Sequence, residues 1–178
     1  MAFTHDTEMA LLAAVTLANT AEEPDTLVTI ADLDSFFEEH EYTGRRDGTQ
    51  AEFEAVRAVR HELRDLLTAD RDGAVELVNR FLAEARAVPQ LVRHGDYDWH
   101  IHATGPDEAL VTRMKVETAM AMIDLIRADD LSRLGICADE DCRAIVLDLS
   151  RNRSKRFCST TCGNRNAVAA YRARQAGA

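Results

Sequence analysis

The sequence predicts an α+β fold, mainly helical over residues 1–130 with one small β-hairpin there, followed by a separate short module over 131–178. Three observations predict it. Ala, Leu, Glu and Arg are plentiful while aromatic residues make up 6%, a balance that favours helices over an all-β sandwich. Apolar residues recur at three- and four-residue steps in several long segments. The four cysteines are confined to the last quarter of the chain, so their purpose is local. With 178 residues the chain can bury one sizeable core plus a small stapled module, but not two large domains.

Glu8 to Thr20 is apolar and rich in helix formers, with Asn19 where a helix would close. Pro24-Asp25 punctuates the chain, Leu27 to Ile30 is a short β-prone run, and Asp32 to Phe37 opens a second helix with acids in its first turn. Residues 42–49 read as loop. Phe53, Val56, Val59, Leu63, Leu66 and Leu67 mark one face of an amphipathic helix. Val75, Val78, Phe81, Leu82 and Ala85 repeat the pattern until Pro89 stops it. Leu91-Val92-Arg93 and Trp99-His100-Ile101-His102 flank His94-Gly95-Asp96, a hairpin with Trp99 and Ile101 on one face. Leu110 to Ile126, after Gly105-Pro106, is a long helix.

No apolar run approaches the roughly 18 residues that span a bilayer, and Asp6 and Glu8 stand where a signal peptide would be basic. The expectation is a cytoplasmic protein with no membrane partner. No Ser/His/Asp grouping, phosphate-cradling glycine loop or isolated carboxylate pair stands out, so an enzyme is not expected. The net charge of −10 conceals a partition. Met1 to Cys142 carries 13 Lys and Arg against 30 Asp and Glu; Arg143 to the end carries 8 against 1, the lone acid being Asp148. An acidic body precedes a basic tail.

The cysteines are spaced C-x4-C and C-x3-C: Cys137 with Cys142, then fifteen residues, then Cys158 with Cys162. Two close pairs joined by a short loop suit tetrahedral zinc, each pair supplying one edge of the tetrahedron. One structural zinc per chain is expected, since four thiolates complete the shell and leave no open position. Iron-sulfur ligation, ordinary buried thiols and disulfides are the other readings. Ala144 to Leu149 is β-prone, Ser150 to Ser154 is turn-like, Ser159 is a candidate N-cap, and Gly163 to Arg174 has helical character with Val168, Ala169 and Tyr171 able to pack. Knuckle, short hairpin and ligand-bearing helix make a treble-clef-like zinc module.

Arg151, Arg153, Lys155 and Arg156 precede the third cysteine, and Arg165, Arg172 and Arg174 follow it. A mixed Arg and Lys surface of this kind suits phosphate recognition, making DNA the expected partner. The alternative is that these cations balance a Zn(Cys)4 centre or dock the acidic first domain. His100 and His102 alternate on one strand face, a spacing for a metal or for a solvated hairpin face.

Ser150-Arg151-Asn152-Arg153, Arg156-Phe157-Cys158-Ser159, Cys162-Gly163-Asn164-Arg165 and Tyr171-Arg172-Ala173-Arg174 resemble the CGNR zinc-finger family. Leu17-Ala18-Asn19-Thr20 resembles the end of the first helix of the ABATE domain that precedes this zinc finger, and Asp130 to Leu134 resembles the join. The resemblance implies a bacterial protein described as a candidate stress-induced transcription regulator. It further implies a first domain that senses a small-molecule effector or mediates association as a homodimer, with Asn19 and Thr20 as ligand-contacting residues or helix caps. The chain departs from the family pattern in spacing its second cysteine pair by three residues and in lacking basic residues over 166–170. A protein-interaction adaptor with a purely structural zinc module is the alternative function.

Overall fold

Residues 3–93 and 98–176 are described by the computed structural model, and α1 (His5–Asn19) lies at its centre. Thr7, Leu11, Ala13, Ala14, Val15, Leu17 and Ala18 are all buried, so this helix is covered on most sides, as its near-continuous apolar run requires. α3 (Gln50–Thr68) and α5 (Leu110–Arg127) pack on it, and α4 (Arg71–Glu84) packs on both α3 and α5. The predicted stripe of α3 faces inward, with Phe53, Val56, Val59, Leu63, Leu66 and Leu67 buried in one core; from α4, Val78 and Phe81 join it, whereas Val75 is exposed.

The β-prone run Leu27 to Ile30 forms no strand. Thr29 Oγ1 accepts from the Asp32 amide at 3.1 Å and Asp32 Oδ2 accepts from the Thr29 amide at 2.8 Å, a reciprocal capping box that makes Ile30 the first residue of α2 (Ile30–Glu39). Asp25, just before it, accepts from Arg60 Nη1 and Arg57 Nη2, both at 2.8 Å. The Arg60 guanidinium holds its carboxyl far below the usual carboxylate range.

β1 (Gln90–Val92) pairs antiparallel with β2 (His100–His102), Leu91 opposite Ile101. Leu91, Trp99 and Ile101 are exposed. The expected turn His94-Gly95-Asp96 lies outside the described residues.

A second antiparallel pair, β3 (Leu134–Ile136) with β4 (Ile145–Leu147), opens the tail. The expected hairpin between the cysteine pairs is corrected here. The strand after Cys142 pairs backward across the first cysteine pair, which therefore sits in the hairpin loop. Side chains of β4 alternate: Ile145 and Leu147 enter the core of the helical domain, while Val146 packs with Cys137 and Cys162. α6 (Thr160–Ala176) follows. Val168 and Tyr171, expected to pack, are 47% and 57% exposed, and Ala169 is exposed with them, so among the described residues nothing covers this face of the helix. Among the described residues no helix is long and apolar enough to cross a membrane.

Candidate metal centre

The loop between β3 and β4 and the first turn of α6 bring four sulfurs together, all Sγ atoms lying within 4.8 Å of one another. Cys142 Sγ is 3.6 Å from Cys158 Sγ, which is 3.7 Å from Cys162 Sγ. Tetrahedral zinc at Zn–S distances near 2.3 Å requires S···S edges of about 3.8 Å. The donor set and its spacing fit one zinc ion, and these four cysteines can hold it.

The thiols themselves call for a cation. Burial and the neighbouring sulfurs push Cys158 up to about 12, whereas the Ser159 hydroxyl, then Arg165, bring Cys162 down to about 7. Four thiolates at this spacing repel one another, and a divalent ion supplies the compensating charge. Ser159 Oγ accepts from the Cys162 amide at 3.2 Å, the cap expected of it, and the Cys158 amide donates to Cys137 Sγ at 3.4 Å.

Around the sulfurs, Asp139 is 3% exposed and organises the outer layer. Its Oδ2 accepts from Arg165 Nε at 2.8 Å and Asn166 Nδ2 at 2.7 Å, and Arg165 Nη2 also reaches Cys162 Sγ at 3.5 Å. Asp148, the lone acid after Cys142, shapes the loop before Cys158: it accepts from the Ser150 amide at 2.8 Å and the Lys155 amide at 2.6 Å. Such outer partners orient ligands and hold the backbone that carries them.

The seven candidate DNA-contacting cations divide accordingly. Arg165 is engaged as above, and Arg153 pairs with buried Asp130 at 2.6 Å, which also accepts from Arg133. Arg151, Lys155, Arg156, Arg172 and Arg174 are exposed and make no ion pair among the described residues. Arg156 lies over the Phe157 ring, 5.9 Å from its centroid.

In the first domain, Asn19 does something its sequence position did not announce. Its Nδ2 donates to Ile145 O at 2.9 Å and its Oδ1 accepts from the Ile145 amide at 2.7 Å, so it pairs with β4 like a strand and fastens the tail to α1. Thr20 donates to Leu17 O at 2.6 Å and accepts from Arg60 Nη1 at 3.2 Å. Neither residue lines either of two cavities formed in this domain. His100 and His102 do line one of them: both are half-buried, with their Nε2 atoms 2.9 Å apart, rather than standing on a solvated face. No third ligating group joins them, the cysteines being the single metal-ligating group among the described residues. Glu117 of α5, which lines the same cavity, carries no local sequence signal because its burial comes from segments distant in the chain.

Comparison with known families matches residues 133–175 to the CGNR zinc finger and residues 12–129 to ABATE, described as "Putative stress-induced transcription regulator". No curated protein matches the chain. The two matched segments meet where the helical core ends and β3 begins, and together they span the core, the docking strand and all four sulfurs. The chain belongs to the ABATE family and carries a CGNR zinc finger at its C-terminal end.

Proposed function

We propose that the protein is a transcription regulator whose zinc-stapled tail binds duplex DNA and whose helical domain senses a small-molecule effector. One observation carries this reading. The Asp148 carboxylate, by accepting from the Ser150 and Lys155 amides, holds the loop that displays Arg151, Lys155 and Arg156, which are exposed and make no ion pair among the described residues. Unpaired cations on a rigid backbone are what phosphate neutralisation requires, and Arg172 and Arg174 extend the charge along α6. The zinc acts structurally, and no chemistry is assigned to it or to the helical domain.

The exposed Val168 and Tyr171 favour a second reading, in which α6 docks a protein partner. Fluorescence anisotropy with a mixed-sequence duplex at increasing salt separates the two. DNA binding predicts a log–log slope of about −0.9 per phosphate neutralised. The triple variant Arg151→Glu, Lys155→Glu, Arg156→Glu should abolish binding while zinc stays at one per chain. Equal binding by wild type and triple variant at low salt would overturn the assignment and move it to the adaptor.

A further inference from the structure

A cavity of about 250 Å³ lies between α1, α5, the segment after α2 and strand β2. A second, of about 410 Å³, shares Thr43, His102, Ala103 and Glu117 with it. Much of the first cavity's wall is apolar, with Met9, Met120 and Ile123 contributing. Its charged groups are unbalanced: Asp6, Glu41, Glu117 and Asp124 face a single guanidinium, Arg127.

Burial distinguishes Glu117 from Asp124 and from the other acids of this wall. Asp124 accepts from the Thr7 hydroxyl at 2.6 Å, whereas among the described residues Glu117 makes no hydrogen bond and no ion pair. Arg113, one turn before it on α5, acts on it through its charge alone, because Nε, Nη1 and Nη2 donate to the carbonyls of Glu108, Thr43 and Arg45. Burial pushes the Glu117 carboxyl up to about 7. His40 lines the same cavity, and both of its ring nitrogens are buried without a hydrogen-bond partner. Burial also lowers its pKa, which keeps the ring neutral. A carboxylate and a neutral imidazole nitrogen both accept hydrogen bonds, and an ammonium group offers donors only. Unpaired acceptors in an apolar, acid-rich concavity describe a ligand wall.

We propose that this cavity binds a small organic monocation, an ammonium on a compact apolar body, with Glu117 as its charge partner. The proposal deepens the effector-sensing reading and rests on it only for the consequence of binding, not for binding itself. Binding requires ionised Glu117, so affinity falls as pH drops through about 7. The other groups facing the cavity do not reverse that sign. Tyr42, from the segment after α2, is kept neutral by burial, and His100 and His102 on β2 bring no negative charge to the cavity. Asp6 and Glu41 favour the cation, as does Asp124 on α5, while Arg113 and Arg127 carry constant charge.

Calorimetry on the full-length, zinc-loaded protein with phenethylamine, neutral 2-phenylethanol and anionic 3-phenylpropanoate tests the site. The amine should bind at one per chain, the alcohol at least tenfold more weakly and the carboxylate not at all. From pH 6 to pH 8 amine affinity should rise about tenfold, following the ionised fraction of a carboxyl near 7. Glu117→Gln should lose at least tenfold, and so should Ala10→Met, which fills the cavity without touching the charge; an unchanged helical circular-dichroism signal and a cooperative urea transition report that each variant is folded. Equal affinity for amine and alcohol, unchanged affinity in E117Q, or no binding of the amine overturns the proposal. DNA affinity measured with and without the amine addresses sensing separately: saturable amine binding with unaltered DNA affinity would overturn the sensor and leave the site standing.

Discussion

The helical domain and the tail reach a fold by different means. The first buries a continuous set of side chains from α1, α3, α4 and α5, whereas the tail's own cluster consists of Cys137, Val146 and Cys162 with Phe157, Cys142 and Cys158 at its edge. A core built around one valine cannot offset the conformational entropy of some 45 residues, so the tail depends on its metal and on its neighbour. β4 supplies both connections in three residues: Ile145 and Leu147 go to the helical core and Val146 to the sulfurs. Here the boundary between two family units is not a boundary between two cores.

This contrast can be broken by mutation. Leu147→Ala, although in the zinc finger, should lower the stability of the helical domain by about 2–5 kcal/mol, seen as a shifted urea midpoint for the whole chain. Val168→Ala, in the same finger but exposed, should change it by less than about 0.5 kcal/mol. If the two substitutions cost the same, the shared core is wrong.

Glu117 sharpens the comparison from the other side, as a polar weakness within the well-packed domain. Its carboxyl is raised to about 7 in the fold from 4.5, so the folded state holds the proton more tightly. The resulting penalty is absent below pH 4.5 and grows as pH rises toward 7, to about 3 kcal/mol at 1.36 kcal/mol per unit. Glu117→Gln removes it, so the variant should match wild type near pH 4.5 and exceed it at pH 8. Urea titrations at the two pH values check this; a gain that is independent of pH would contradict it.

A smaller loss than that of Leu147→Ala is expected at the seam. Asn19→Ala removes two hydrogen bonds to Ile145 and leaves a buried amide and carbonyl unpaired, which should cost about 1–3 kcal/mol. Hydrogen exchange should show the loss at β4 first. Loss confined to the C-terminal end of α1 would mean that Asn19 acts only as a cap.

What was legible in the sequence was what is encoded locally. The stripes of α3, α4 and α5 are set by helical period, and the sulfur cluster by short spacings within one module. Leu27 to Ile30 carries two competing signals, β propensity and the Thr29-to-Asp32 capping box, and the capping box prevails because it satisfies backbone amides at the start of α2. Val168 and Tyr171 carry a packing pattern, but a stripe says nothing of whether a partner surface exists. Asn19 and Glu117 were out of reach for another reason. One meets a strand 126 residues away, and the other is buried by segments from three parts of the chain, so tertiary structure alone defines their roles.

Zinc removal tests the contrast between the two regions most directly. Elemental analysis followed by hydrogen exchange before and after chelation should find one zinc per chain, with removal stripping protection from α6 and residues 150–158 while α1, α3 and α5 keep theirs. A protein that purifies without zinc, or an α6 whose protection survives chelation, would contradict the account.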